Sequence, residues 1–220
     1  IMVMEQINII EQGDSFFDTK QKLQKLGLIV KEYPLLDLFI IKYSNKKHNM
    51  DNHIVRQCRG VVGVISTNQI ILLPPPKSDK LNDIYNTIES WNDLSIEEFI
   101  DGTMINLFYH GKWIISTKSN IGGDNKWKSK KTFTDLFDEA NRIDYTCLDK
   151  TKFYTFVLTH PENTIVTQYM VPSIVLVSCG TINNNGQATS VTYYNIYKEL
   201  DYVQKPDKYH FHNITEVHMF

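Results

Sequence analysis

The most basic stretch of the sequence, SNIGGDNKWKSKK at residues 119–131, mixes lysines with a tryptophan and a glycine pair. Lysine ammonium groups neutralise phosphates, and an indole ring stacks on a nucleobase. Loops that bind nucleic acid use this combination, but a solvated loop beside a helix has the same composition, and the residues alone leave both interpretations open. The candidate RNA contacts are Lys126, Trp127, Lys128, Lys130 and Lys131.

Acidic residues and histidines are the other groups with potential for metal chemistry. Glu97, Glu98 and Asp101 are close enough in sequence to form a carboxylate cluster around a cation. We favour a simpler interpretation, in which the glutamates are surface residues of a strand and Asp101 holds a turn. His210 and His212 have the spacing of metal ligands on a strand, but no third ligand lies nearby in sequence. We therefore predict no metal site.

Length and composition favour one globular unit. The chain has 220 residues, of which 42% are hydrophobic, so we expect a single domain over residues 1–220. With 23 basic and 25 acidic residues, a uniformly basic surface is excluded, although local patches are not. Three widely spaced cysteines fit no disulfide framework, and neither a signal peptide nor an apolar run of about 18 residues is evident. We expect a soluble intracellular protein.

Hydrophobic periodicity indicates helices interspersed among many strands. Apolar residues at helical spacing predict short helices in SFFDTKQKLQKLGL and TFTDLFDEANRID. Runs rich in β-branched residues predict strands in LDLFIIKYS, CRGVVGVIS, QIILL, FYTFVLT and SIVLVSCG. A hairpin is predicted around Gly111 and a turn at residues 183–186, whereas SVTYYNIYKEL fits either a strand or a helix. The predicted class is α+β with mainly antiparallel pairing.

Five short motifs follow one another between roughly residue 38 and residue 190. They are a Lys-Tyr strand end, an Arg-Gly pair after cysteine, a proline-lysine segment, an Asp-Gly pair followed by a Gly-Lys-Trp hairpin, and a strand leading into Pro-Glu-Asn. In this order they resemble the nucleotidyltransferase domain of RNA ligases of the phage tRNA-repair type, in the ligase and capping superfamily. The resemblance implies an antiparallel-rich nucleotidyltransferase core with flanking helices.

The resemblance also assigns residual nucleotide-site positions. Arg59 matches the Arg-Gly pair, Lys77 the proline-lysine segment and Lys118 the basic position after the hairpin. Asp101 and Gly102 match the second half of the nucleophile motif. In these enzymes a lysine amine attacks the α-phosphorus of a nucleoside triphosphate and carries the nucleotide to a nucleic-acid end.

Several positions depart from the family pattern. Phe99 replaces the nucleophilic lysine, Val157 replaces a glutamate that contacts the nucleotide sugar, and Ser119-Asn120 follows Lys118 where a glycine is usual. Strands with the metal-linked glutamate and the phosphate-binding lysines are not recognisable before Phe220. A phenyl ring has no lone pair with which to attack phosphorus. We therefore assign no catalytic residue, and expect Phe99 and Val157 to line the cleft with apolar surface.

Two functional interpretations follow. The first is a catalytically inactive RNA-ligase-like domain, a pseudoenzyme without cofactors that serves as a binding or assembly module for RNA or a protein partner. The second is an active ATP-dependent RNA ligase, using ATP and magnesium, whose nucleophile is displaced to Lys112 or Lys118 and whose later motifs belong to a longer chain. Neither involves a membrane.

Overall fold

The computed structural model contains two antiparallel sheets packed face to face, with helices against their outer faces. It describes residues 9–11, 13–44, 50–78, 90–91, 96–127, 129–183, 188–191 and 200–219. The helices in these ranges are α1 (Phe16–Lys25), α2 (His53–Gln57), α3 (Phe133–Ala140) and α4 (Ile214–Met219), with 3-10 turns at Pro34–Leu36 and Tyr145–Cys147. None of these helices has the length and apolarity needed to cross a membrane.

The strands alternate with short connections. They are β1 (Leu28–Tyr33), β2 (Leu38–Tyr43), β3 (Arg59–Val64), β4 (Gln69–Leu72), β5 (Ile96–Glu97), β6 (Thr103–His110), β7 (Lys112–Ser116), β8 (Lys152–Thr159), β9 (Ser173–Ile182), β10 (Ala188–Val191) and β11 (Lys208–Tyr209). Strands β1 to β4 form a four-stranded meander, which we call the smaller sheet. The larger sheet has five strands in the order β10-β9-β8-β6-β7. The short strands β5 and β11 pair with each other.

Local sequence signals explain the helices. Ser15 and Thr132 each begin a helix by accepting a hydrogen bond from the backbone three residues on, and an aspartate at that position bonds back. After α1, Gly27 adopts a φ of +81°, which ends the helix. In the larger sheet, Gly111 turns β6 into β7 with a φ of +69°. These predicted helices and the hairpin are confirmed.

The core between the sheets sets which side chains face the site. Leu38 and Ile40 of β2 pack with Phe108 of β6 and Phe153 of β8 across the interface. Because side chains alternate along a strand, Lys42 lies on the same face as Ile40 and Val157 on the same face as Phe153. The opposite faces pack against α1 and α3.

The mixed, antiparallel fold class is confirmed, but some local predictions were wrong or fall elsewhere. Strand β1 was not predicted, and β11 ends at Tyr209, so His210 and His212 do not lie on a strand. Residues 184–187 and 192–199 lie outside the described residues, and with them most of the predicted turn and of the ambiguous SVTYYNIYKEL segment. The first two residues of that segment, Ser190 and Val191, belong to β10.

Candidate functional site

A cluster of cations lies where the edge of the four-stranded sheet meets the end of the β6–β7 hairpin. Lys42 extends from β2, and Lys118 follows β7. Lys31 lies on the neighbouring strand β1, where it pairs with Ile40 of β2. Burial lowers the pKa of Lys42, and the positive charges of Lys31 and Lys118 lower it further. With Arg59, the register partner of Lys42 on β3, these residues form what we call the basic cluster.

A glycine and a tight turn hold Lys118 in this cluster. Gly60 has a φ of +96°, and a Cβ atom there would lie 3.0 Å from the Lys118 Cα. In the turn, the Thr117 hydroxyl accepts hydrogen bonds from the backbone of Ser119 and Asn120, at 3.3 and 3.2 Å. The Lys118 ammonium lies 3.9 Å from the centre of the Tyr43 ring, which is a cation–π distance.

The departure from the family pattern at Ser119-Asn120 has a local explanation. The Asn120 Oδ1 accepts hydrogen bonds from the Lys31 ammonium at 2.6 Å and from the Tyr33 hydroxyl at 3.3 Å. That same hydroxyl accepts a hydrogen bond from the Ile121 backbone at 3.1 Å. Asn120, the second residue after Lys118, therefore joins the Lys118 turn to β1.

Of the positions predicted from the motif series, Arg59 belongs to the basic cluster and the Lys77 backbone lies close to it in the chain fold. The Lys77 backbone N–H donates to the carbonyl of Arg56 at 2.9 Å, which brings the proline-lysine segment to the end of α2, directly before Arg59. Lys77 itself is exposed. Across the described ranges, no carboxylate forms an ion pair with Lys31, Lys42, Arg59 or Lys118.

Asp101 and Gly102 lie at the same end of the larger sheet as Lys118, because Ser116 pairs with Asn106 only three residues into β6. We expected Asp101 to hold a turn beside Gly102 at the end of a strand. It instead precedes β6, and its carboxylate accepts hydrogen bonds from the backbone of Val166 at 2.9 Å and Thr167 at 2.7 Å. These bonds lower the pKa of Asp101.

Gly102 is required by the close approach of β8. A Cβ atom at this position would lie 2.5 Å from the carbonyl oxygen of Leu158 and 2.6 Å from Cγ1 of Val157. Neither distance is compatible with a side chain unless the strands separate. The Asp-Gly pair thus has a structural role in which the aspartate fixes one loop and the glycine lets two strands meet.

We expected Phe99 to fill or line the cleft with apolar surface; its side chain is instead 91% exposed and fills no cleft. Phe99 lies in the irregular segment between β5 and β6, and no element of the described part of the chain packs over it. Val157 is half-buried on the face of β8 directed toward the smaller sheet. Lys112, one candidate for a displaced nucleophile, lies beside Gly111 at the far end of the hairpin from Asp101.

Sequence reasoning missed a chain of buried polar groups between the sheets. The Thr155 hydroxyl donates to Asn106 Oδ1 at 2.9 Å, and the Asn106 amide donates to the Ser116 hydroxyl at 3.4 Å. All three residues are fully buried. Lys31 was missed as well. The Lys-Tyr strand end that contains Lys42 was recognised as a motif, but Lys42 was not assigned to the site.

In the predicted RNA-contact loop, the cations differ in their partners. Lys131 forms ion pairs with Glu139 at 2.8 Å and Glu162 at 2.6 Å, and these carboxylates raise the pKa of Lys131 to about 12. Its charge is therefore compensated within the chain. Lys126 and Lys130 are exposed, as is Trp127 at 44%, while Lys128 lies outside the described residues.

Among the described residues, no three side chains of histidine, cysteine, aspartate or glutamate lie close enough together to hold a metal ion. Asp101, one member of the possible carboxylate cluster, already accepts hydrogen bonds from the backbone of Val166 and Thr167.

No protein-family model matches the chain. It is 26% identical over 171 residues to a protein of Autographa californica nuclear polyhedrosis virus described as a bifunctional polynucleotide kinase/RNA ligase, covering 68% of this chain and 25% of that protein. It is 27% identical over 198 residues to an immediate-early protein ICP-46 homolog of Invertebrate iridescent virus 6, covering 77% of this chain and 41% of that protein. The chain thus spans less than half the length of these curated relatives.

Among solved structures, the fold is similar to that of a protein described as an ATP-dependent DNA ligase from Aquifex aeolicus. The TM-score is 0.53 at 13% identity, covering 87% of this chain and 49% of that one. At this identity the likeness concerns the fold alone. The sequence similarity to the viral kinase/ligase and this fold similarity together support a relationship to ligase-type nucleotidyltransferases.

Proposed function

We propose that this chain is an RNA-ligase-like nucleotidyltransferase domain that binds RNA through the basic cluster without transferring a nucleotide. The observation that carries the proposal is the combination of four cations, Lys31, Lys42, Arg59 and Lys118, with an exposed phenylalanine at the position matching the nucleophile. The viral relative whose name includes RNA ligase makes RNA the first ligand to test.

Electrostatics favours a polyanionic ligand at this cluster. Lys42 lies among like charges that disfavour its own protonated form. An RNA phosphate placed among these ammonium groups would remove that repulsion and release counterions from the RNA. The exposed Lys126, Lys130 and Trp127 belong to the loop that follows the Lys118 turn, and we propose them as a second contact for the same strand.

The absence of transfer follows from the side chain at position 99. The phosphoamide bond requires an amine lone pair, which phenylalanine lacks. Removing the nucleophile of a covalent mechanism lowers the rate by several orders of magnitude. The remaining matches, Arg59, Lys77 and Lys118, are suited to holding phosphates and supply electrostatic attraction.

RNA binding is tested with a 5′-phosphorylated single-stranded RNA carrying a 3′ fluorophore, titrated by anisotropy over a range of salt concentrations. In Lys118→Met we expect RNA affinity to fall about three- to tenfold. The slope of the logarithm of the binding constant against the logarithm of the salt concentration should also fall in magnitude by about one, since one phosphate contact is removed. Methionine keeps most of the unbranched apolar stem and removes the ammonium group.

Lys150→Met is a matched control for this variant. The Lys150 ammonium also lies over a tyrosine, 4.8 Å from the centre of the Tyr109 ring, but at the opposite end of the β6–β7 hairpin. Its loss should leave RNA affinity within twofold. Equal effects of the two variants would contradict binding at the basic cluster, and so would undetectable binding by the unaltered chain.

A second candidate function is nucleotidyl transfer from a displaced lysine, and the environment of Lys42 favours it. Burial and two neighbouring cations lower the pKa of Lys42, which increases the fraction of neutral amine. In this reaction the amine would attack the α-phosphorus of a nucleoside triphosphate, a phosphoamide would form, pyrophosphate would leave, and the amine would lose a proton to solvent.

The two candidates are separated by incubation with α-labelled ATP or GTP and a divalent cation, followed by denaturation and peptide mass spectrometry. We expect no nucleotide on any lysine. An adduct on Lys42 that disappears in Lys42→Met would establish the second candidate. The result does not depend on RNA binding, so each part of the proposal can fail separately.

A further inference from the structure

A group of large apolar side chains is exposed beside Asp101. Phe99, Val166, Met170 and Val171 are exposed by 91, 84, 82 and 70%, respectively. The hydrogen bonds from the Val166 and Thr167 backbone to Asp101 bring the 165–171 loop next to the segment that carries Phe99. We call these four residues the apolar rim. Scattered apolar residues are common on protein surfaces, but grouped ones mark interaction sites.

The backbone beneath the apolar rim is fixed. Asp101 holds one part of the loop, and the Asn163 side chain holds its beginning by donating to the Thr103 hydroxyl at 2.7 Å. The Asn163 backbone also donates to the His160 carbonyl at 2.9 Å. The exposure of Val166 therefore does not come from an unattached chain. A fixed surface lowers the ordering cost of binding.

Charge near the rim disfavours nucleic acid and favours a cationic ligand. Residues 161–173 contain no lysine or arginine. Glu98 is exposed, and its backbone N–H donates at 2.8 Å to the carbonyl of Asp207, which is also exposed. Burial raises the pKa of Tyr169 in the 165–171 loop, and the charges of Asp101 and Glu98 raise it further. The nearby cation Lys208 of β11 is paired in register with Glu97 of β5. Phosphates would be repelled here, whereas lysine or arginine side chains would be attracted.

We propose that the apolar rim is a docking surface for a partner protein, and that it binds a segment whose apolar side chains are flanked by lysine or arginine. Apolar anchors would cover Phe99, Val166 and Met170, and the flanking cations would face Glu98 and Asp207. The proposal goes beyond RNA binding and does not depend on it, because it rests on a different surface.

The test is selection from a random 12-residue peptide library displayed on phage, with the chain immobilised and the triple variant Phe99→Ser, Val166→Ser, Met170→Ser used for counter-selection. We expect enriched peptides to combine large apolar residues with flanking lysine or arginine. Synthetic copies of these peptides, measured by fluorescence anisotropy, should bind the triple variant at least about tenfold more weakly, as expected when central apolar anchors are removed.

Two controls separate docking from folding and from general stickiness. Because all three replaced side chains are exposed, the triple variant should keep its melting temperature. Leu35→Ser removes another fully exposed apolar residue, on the smaller sheet, and should not change peptide affinity. Glu98→Lys should weaken binding of the same peptides by reversing the charge at this position.

Three outcomes would overturn the proposal. Enriched peptides without flanking cations, or with equal affinity for the triple variant, would show that the rim is not the docking surface. Loss of RNA affinity in the triple variant would assign the rim to nucleic acid. A concentration-dependent dimer of the unaltered chain, abolished by the triple variant in sedimentation experiments, would assign it to a second copy.

Discussion

The basic cluster and the apolar rim lie at the same end of the larger sheet, yet they differ in almost every physical property. In the basic cluster, Lys42, Arg59 and Lys118 are partly buried and Lys31 is exposed, and asparagine, tyrosine and a tight turn hold the lysines. In the rim, the backbone is held by Asp101 while the apolar side chains are exposed. One region is organised to present charge, and the other to present apolar surface on a fixed backbone.

Under the proposed function, this difference separates two parts of the motif series that resembles that of RNA ligases. The positions that match phosphate contacts carry Arg59 and Lys118, which remain suited to anions. The position that matches the nucleophile carries Phe99, which is suited to apolar contacts. We infer that binding at each region can be changed without changing the other, and the following experiments test that independence.

The largest effect is expected from Gly102→Ala, beneath the rim. The added methyl group would lie 2.5 Å from the Leu158 carbonyl oxygen, so β6 and β8 would have to separate. We expect a loss of about 2–3 kcal/mol in the free energy of unfolding, measured by urea denaturation.

Gly60→Ala is the matched comparison beneath the basic cluster. Its methyl group would lie 3.0 Å from the Lys118 Cα, a less severe contact, at a φ of +96°. The expected loss is about 1–2 kcal/mol, with weaker RNA binding. A smaller loss for Gly102→Ala than for Gly60→Ala would contradict the strand contact described here.

Much of this architecture could be predicted from the sequence because it depends on local signals. The helix caps at Ser15 and Thr132 and the hairpin at Gly111 are set by neighbouring residues, and all were found. Strand β1 was missed because LIVKEY follows a predicted helix without the usual separating loop, and Lys31 and Glu32 interrupt its apolar residues.

The site was less predictable because it is assembled from distant segments. Lys31 and Lys118 approach Lys42 only through sheet packing, and Asn120 bonds to Lys31 across 89 positions of sequence. The exposure of Phe99 was mispredicted because an aromatic residue is usually buried. Phe99 is exposed because it lies in the irregular segment between β5 and β6, and an irregular segment has no repeating hydrophobic pattern from which exposure could be predicted.

An intermediate and local effect is expected from Asp101→Ala. The Val166 and Thr167 amides would lose their acceptor, and their hydrogen-exchange protection should fall about tenfold or more while β2 and β3 keep theirs. Because the pKa of Asp101 is lowered in the folded chain, its contribution is present above the unfolded pKa and is lost as pH falls through the lower folded value.

Asp101→Asn is the control for this experiment, because the amide keeps an oxygen acceptor and loses only the charge. It should retain part of the protection. RNA affinity should stay within twofold in both variants if the rim and the basic cluster are independent. A large loss of RNA affinity in Asp101→Ala would mean that the two regions act as one site.

The smallest effect on stability, and the sharpest contrast with function, is expected from Lys42→Met. The pKa of Lys42 is lower in the folded chain than in the unfolded chain, so its charged side chain destabilises the fold at neutral pH. This destabilisation disappears as pH rises from the folded pKa toward the unfolded pKa. Methionine should therefore stabilise the chain at pH 7, by no more than about 0.5 kcal/mol because Lys42 is only partly buried. The gain in stability should shrink at high pH.

In the same Lys42→Met variant, RNA affinity should fall, since a cation of the basic cluster is lost. Lys112→Met, at the exposed hairpin turn, should change neither quantity. Denaturation at two pH values and RNA titration together decide the point, because a residue that only supported the fold would lose stability and affinity in parallel, whereas Lys42 is expected to shift them in opposite directions.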